Sequence, residues 1–317
     1  MKKVLFFLLF CLFGPALHAE IEPSGTYLYA EKDGQELYLD IYEPQDSLAT
    51  LVQLDSVTTV VKPTILFVFG GGFKEGSRNA EFYHPWFEAL RSDGYRVVSI
   101  DYRLGLKDVK KMGIAQRNLL DKAIHMAVED LYSSVLYLRD NAQELGIDTD
   151  NIVLAGSSAG AITILQADYE LCNRTDCARV LPEGFRFAGV MSFAGAIYST
   201  NGPVKYGSSA PAPTLLLHGT ADKLVNYDQI VFFNIGWFGS NRLAERFGKL
   251  GYPYTFLRFK EHGHEIAMAM PYTLEVQKEF MLTCVMRKVP RTLDLLIDDP
   301  RIEAPEIWKK GPEELYK

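Results

Sequence analysis

The chain is poor in the features that would make it an electrostatic binder. Over 317 residues, Lys and Arg number 33 against 40 Asp and Glu, for a formal net charge of -7. With no basic run, it is ill-suited to phosphate backbones or anionic lipid, which excludes nucleic acid as a partner. Beyond the first twenty residues no apolar stretch approaches the ~18 needed to cross a bilayer, so a multi-span membrane protein is excluded and the mature chain has no membrane insertion. Internal repeats are missing, which removes solenoids and propellers. Cysteine is scarce, at 4 residues, and no histidine partners those cysteines at ligand spacing. A zinc site is therefore not expected, and no metal or organic cofactor is implied.

What is present begins with an address. Met1-Lys2-Lys3 is a short basic start, residues 4–13 are apolar, Gly14-Pro15 breaks the run, and Ala19 offers a small residue for cleavage. This reads as a secretory signal peptide over residues 1–19, cut near Ala19 and Glu20, with a secreted or periplasmic product. An uncleaved anchor helix is the alternative. Export changes the reading of Cys172 and Cys177, which have four residues between them in a polar stretch. A local disulfide is expected in an oxidising compartment, against the alternative of two free thiols. A loop this short would contribute about 2 kcal/mol. Cys284 lies in an apolar helical pattern and reads as a small buried hydrophobe.

The rest of the chain alternates strand and helix. Strands are predicted at 27–30 and 37–42 around Asp33-Gly34, then at 64–69, 95–100, 151–155, 187–193, 214–218 and 254–259. Helices are predicted at 79–92, 116–143, 158–171, 240–250 and 271–288. The strands are short continuous apolar runs, as expected of a mostly parallel sheet covered by helices on both faces. Residues 20–317 read as one domain, with a loop-rich tail from about Pro290.

Four loops carry candidate chemistry. Gly156-Ser157-Ser158-Ala159-Gly160 matches G-x-S-x-G between a predicted strand and a predicted helix, the setting of a nucleophile elbow centred on Ser158. A serine hydroxyl needs a base to take its proton. His264, in Glu261-His262-Gly263-His264-Glu265 after the strand at 254–259, is the candidate, with His262 as competitor. The base needs an acid to fix its tautomer. Asp222, past the strand at 214–218, is the candidate, with Asp228 as alternative. His218 reads as packing or orienting this loop, and His84 and His125 as ordinary helical residues. Phe69-Gly70-Gly71-Gly72-Phe73 follows the strand at 64–69, and consecutive glycines let amides approach an oxyanion. The amides of Gly71, Gly72 and Ala159 are the candidate oxyanion hole.

With Ile100-Asp101-Tyr102-Arg103-Leu104 and His218-Gly219-Thr220-Ala221-Asp222, these motifs resemble an α/β-hydrolase of the carboxylesterase/lipase type over about residues 60–285. The resemblance implies the α/β-hydrolase fold, a twisted, mostly parallel sheet of about eight strands. It also implies the triad Ser158, Asp222 and His264, with Gly71, Gly72 and Ala159 as oxyanion hole. Asp101 and Arg103 match a motif used structurally. Two departures stand out. Phe69 replaces the usual His that braces the oxyanion loop, and Ala161 replaces a second glycine after the elbow.

The expected function is a secreted serine carboxylic-ester hydrolase for short-chain or aryl esters, with acylated carbohydrates among the family's substrates. A serine peptidase of the same fold and a non-catalytic hydrolase-fold binding protein are the alternatives. Residues 227–240 form an aromatic insertion near the predicted site mouth. Trp237 and Phe238, flanked by glycines, read either as an exposed flap over the substrate or as core packing. Together with Phe73 they are the candidate substrate contacts.

Overall fold

The computed structural model describes residues 21–110, 117–207, 209–301, 303 and 306–311. The expected leader over residues 1–19 lies outside them. Among the described residues no helix is long and apolar enough to cross a membrane.

Asp33 and Gly34 both take positive φ, 53° and 72°. This is the twist a two-residue hairpin needs, and it joins β1 (Gly25–Lys32) to β2 (Gln35–Tyr42). A small hairpin follows, β3 (Leu51–Gln53) with β4 (Thr59–Val61). Then come β5 (Thr64–Val68), α1 (His84–Ser92), β6 (Val97–Ile100), α2 (Arg117–Asp140) and the single turn α3 (Ala142–Leu145). The second half runs β7 (Ile152–Ser157), α4 (Ala159–Asn173), β8 (Gly189–Phe193), β9 (Ala196–Ser199) and β10 (Thr214–Gly219). It continues with β11 (Gln229–Phe232), β12 (Ile235–Gly239), α5 (Ser240–Leu250), β13 (Tyr254–Phe259), α6 (Leu274–Phe280) and β14 (Leu293–Ile297).

Nine strands form the main sheet in the order β1-β2-β6-β5-β7-β8-β10-β13-β14. Every pair from β6 to β14 is parallel; β2 alone runs against its neighbours. β5, β6, β7, β8 and β10 are buried along their whole length, as their predominantly apolar sequences require. The fold is that of the α/β hydrolases.

Two elements were not legible beforehand. The tail is not simply loop: β14 adds a ninth strand beside β13, pinned by a bidentate pair from Arg258 to Asp294 at 2.5 and 2.8 Å. Within the aromatic insertion, β11 and β12 form a hairpin that pairs antiparallel with β9, outside the main sheet.

The expected Cys172–Cys177 disulfide is corrected: both are free thiols. Cys172 ends α4 and its Sγ meets the Ala210 carbonyl at 3.3 Å, while the Cys177 Sγ meets Glu170 Oε2 at 2.7 Å. Burial pushes each thiol up to about 12, so neither is the thiolate that oxidation requires. Cys284 is buried as expected.

Candidate active site

Four parallel strands, β5, β7, β10 and β13, end at the same rim of the sheet, and each is followed by one of the loops singled out above. The crevice outside the carboxyl ends of parallel strands is where α/β sheets hold their ligands.

At the end of β7, Ser158 has φ 51° and ψ −115°, a strained conformation for a residue with a side chain. The surroundings impose it. A Cβ on Gly160 would sit 2.0 Å from the Val68 carbonyl oxygen, and one on Gly156 would sit 2.5 Å from the Gly160 carbonyl carbon. Only glycines allow helix and strand to approach so closely, and the tight turn lifts Ser158 to the N-terminus of α4. There the helix dipole favours developing negative charge.

The Ser158 hydroxyl donates to His264 Nε2 at 2.8 Å, and His264 Nδ1 donates to Asp222 Oδ2 at 2.7 Å. A carboxylate oxygen can only accept, so the proton sits on Nδ1 and leaves Nε2 free to receive. His264 and Asp222 are 5% and 3% exposed, so water does not compete for these bonds. Burial alone would raise the Asp222 carboxyl. The His264 and His218 rings beside it, together with their hydrogen bonds, hold it instead well below the usual carboxylate range. Asp222 Oδ1 also accepts from the Leu224 and Val225 amides at 2.9 and 3.1 Å.

His218 packs and orients this loop, in agreement with its sequence reading. Its Nε2 lies 3.0 Å from the Val225 carbonyl, an obligate acceptor, so Nε2 carries a proton; that N–H also reaches Asp222 Oδ2 at 3.2 Å. The competitors are placed elsewhere. His262 Nδ1 pairs with Glu265 Oε1 at 2.8 Å. Asp228 accepts from Asn241 at 2.9 Å. The Ser157 hydroxyl is committed to the Ala267 carbonyl at 2.8 Å, tying the elbow to the segment after His264.

On the β5 side, Gly71 and Gly72 have φ 126° and 64°. The brace of this loop is aromatic. The Phe69 ring stacks on Tyr102 with centroids 4.4 Å apart, and the Tyr102 hydroxyl donates to the Phe69 carbonyl at 3.1 Å. The Tyr83 hydroxyl accepts the Gly70 amide at 2.9 Å. Phe69 thus replaces a polar brace with a stacked one. Tyr102 was visible within a quoted motif, whereas no local pattern marks Tyr83. Asp101 and Arg103 are structural, with Arg103 bound to Asp33, Glu129 and Asp130 and Asp101 to Arg78.

Beside Ser158 opens a cavity of about 260 Å³ whose apolar wall includes Phe73, Leu106, Ile162, Val225 and Trp237. Of the two readings of Trp237 and Phe238, the joint exposed flap is overturned and core packing holds for Phe238, which is thereby removed from the candidate substrate contacts. Phe238 is 2% exposed and belongs to the core, while half-buried Trp237 packs on Tyr198 at 5.2 Å and lines the cavity. The period-2 pleat of β12 sends the two side chains to opposite faces. The exposed aromatics are instead Phe232 and Phe233 at the β11–β12 turn, 66% and 86% exposed. Among the described residues no group of three or more His, Cys, Asp or Glu side chains is placed to hold a metal ion.

Comparison with known proteins adds four likenesses. The BD-FAE family model matches residues 39–175. Gut esterase 1 of Caenorhabditis briggsae is 29% identical over 125 residues, covering 39% of this chain and 21% of that protein. Juvenile hormone esterase of Heliothis virescens is likewise 29% identical over 125 residues, 39% of this chain and 20% of that one. The chain thus spans about a fifth of the length of these curated relatives. A thermophilic esterase from Thermogutta terrifontis superposes with a TM-score of 0.59 at 21% identity, over 82% of this chain and 92% of that one. At that identity the superposition speaks for the fold.

Proposed function

We propose that this α/β-hydrolase is a serine carboxylic-ester hydrolase working through an acyl-enzyme. The observation that carries the reading is the unbroken Ser158–His264–Asp222 relay, 2.8 and 2.7 Å, at the mouth of an apolar cavity. Ser158 Oγ attacks the ester carbonyl while His264 Nε2 takes its proton. The carbonyl oxygen becomes an oxyanion facing the amides of Gly71, Gly72 and Ala159. The Ser158 amide itself is unavailable, since it donates to the Phe193 carbonyl at 2.9 Å. As the tetrahedral intermediate collapses, the bond to the alkoxy oxygen breaks and the imidazolium gives that oxygen its proton. Water then attacks the acyl-enzyme with His264 again as base, releasing the acid and restoring Ser158. Asp222 stays ionised throughout and stabilises the imidazolium.

A cavity of about 260 Å³ lies at the small end of ligand sites, roughly 300–1,000 Å³. It suits a short acyl chain or one aromatic ring, with Phe73 and Trp237 as contacts, and gives no room to bulk lipid. The leader-like residues 1–19 support export of the enzyme. The test is hydrolysis of p-nitrophenyl butyrate by the wild type and by Ser158→Ala. Loss of about 10³-fold or more in kcat is expected when the nucleophile is removed. Equal rates for the two proteins would sink the reading.

A further inference from the structure

The charge lining the cavity runs against the charge of the molecule. The chain is acidic overall, at -7, yet the charged residues lining the cavity beside Ser158 are Lys74, Lys110 and Lys223, and none of the lining residues is acidic. The three come from separate segments. Lys74 follows the oxyanion loop, Lys110 ends the described stretch after β6, and Lys223 adjoins Asp222. Among the described residues, no ion pair commits Lys110 or Lys223 to a carboxylate. Lys32, Lys260 and Lys278 behave differently, each lying within 3.0 Å of an aspartate.

Like charges gathered around an apolar wall repel one another, at a cost to the folded protein. A bound anion offsets it. A low-dielectric cleft also concentrates the field of its rim charges, raising both the capture rate and the affinity for an ion of opposite sign. An ammonium on a flexible four-carbon stem can follow a carboxylate without demanding one fixed geometry.

We propose that the substrate is an anionic ester, carrying a carboxylate within a side chain's reach of its scissile carbonyl. Lys110 and Lys223 bind the carboxylate, while the apolar part of the substrate lies against Phe73, Ile162 and Trp237. This rests on the ester-hydrolase reading and names the substrate class for that site.

Two matched pairs of substrates test it and locate the charge. For the acyl side, p-nitrophenyl hydrogen glutarate is compared with p-nitrophenyl pentanoate. For the alcohol side, 4-carboxyphenyl butyrate is compared with 4-carbamoylphenyl butyrate. In at least one pair kcat/KM for the anion should exceed that for the neutral ester by about five- to tenfold at low salt. That ratio should fall toward one in 0.5 M NaCl, as screening of solvent-accessible charges requires. It should also fall in the double variant K110Q/K223Q, with thermal melts checking its fold. Ratios at or below one in both pairs, or ratios indifferent to salt, overturn the proposal. Calorimetric binding of the intact esters to Ser158→Ala is read separately. Tighter binding of the anion there supports the charge assignment even if turnover is absent, and absent turnover counts against the hydrolase reading alone. Equal binding overturns the charge assignment.

Discussion

Four donors converge on the Asp222 carboxylate: two backbone amides on Oδ1 and two imidazole N–H groups on Oδ2. In Asp222→Asn the amide NH2 can face His264 Nδ1, which then accepts, and Nε2 carries the proton it should be free to receive. A loss of about 10⁴-fold in kcat is expected from such a tautomer change, with KM little altered; steady-state kinetics on a p-nitrophenyl ester checks it. The same carboxylate sets an acid limit on stability. Its folded pKa lies below its unfolded value of about 3.9, so its contribution is present above that pH and is lost as pH falls further. The difference in melting temperature between wild type and Asp222→Asn should therefore shrink as pH is lowered below about 4. Ser158, His264 and Asp222 were legible because each sits in a short pattern with glycine beside it, and the glycines record close approaches of backbone. Tyr83 was not legible, because its bond to the Gly70 amide depends on how α1 packs over β5, which no local spacing encodes.

At the scale of elements, α2 and α4 pack together, and His125 links them through its Nε2, 3.2 Å from Glu170 Oε1. Burial alone would raise the Glu170 carboxyl, but hydrogen bonds from His125, Cys177 and Gln166 bring it to about 2. The Glu170 bond in turn raises His125 to about 9, against the opposing effect of burial. A folded pKa above the unfolded value of about 6.5 gives stability that is fully present below that pH and is lost as pH rises through about 9. Melting temperatures of wild type and His125→Gln should therefore differ most at or below pH 6.5 and converge toward pH 10. The sequence marked His125 only as an ordinary helical residue, since its partner lies on another helix. The buried strands were readable from their continuous apolar runs and the helices from their periodicity. β14 was not, because its apolar run is only three residues, Leu295 to Ile297, follows an aspartate, and is half-buried or exposed rather than part of the core. The β11–β12 hairpin was missed for a related reason: β11 is exposed throughout, so nothing alternates.

Over the whole molecule, the sheet's carboxyl rim gathers the site from loops more than a hundred residues apart, and the last part of the chain returns to that rim. A Cβ on Gly263 would lie 2.2 Å from the Trp308 carbonyl oxygen, and Gly311 approaches Lys223. The segment of residues 306–311 therefore lies against the base loop and reaches the acid loop. Gly263→Ala must displace either that segment or the backbone that aims His264. A loss of about 10²-fold in kcat is expected if the ring moves by 1 Å, while the melting temperature, set by a core that does not include this contact, should change little. Equal kcat in the variant would show that the tail does not brace the base.

The proposed reacting groups are all in place along the chain by His264, yet the segment that lies against their loop is synthesised some forty residues later. A ribosome makes the chain from its N-terminus, and folding follows that order. A nascent polypeptide stalled beyond the helix α6 would hold Ser158, Asp222 and His264 without that buttress, and competence would arrive only once residues 306–311 have emerged and folded back.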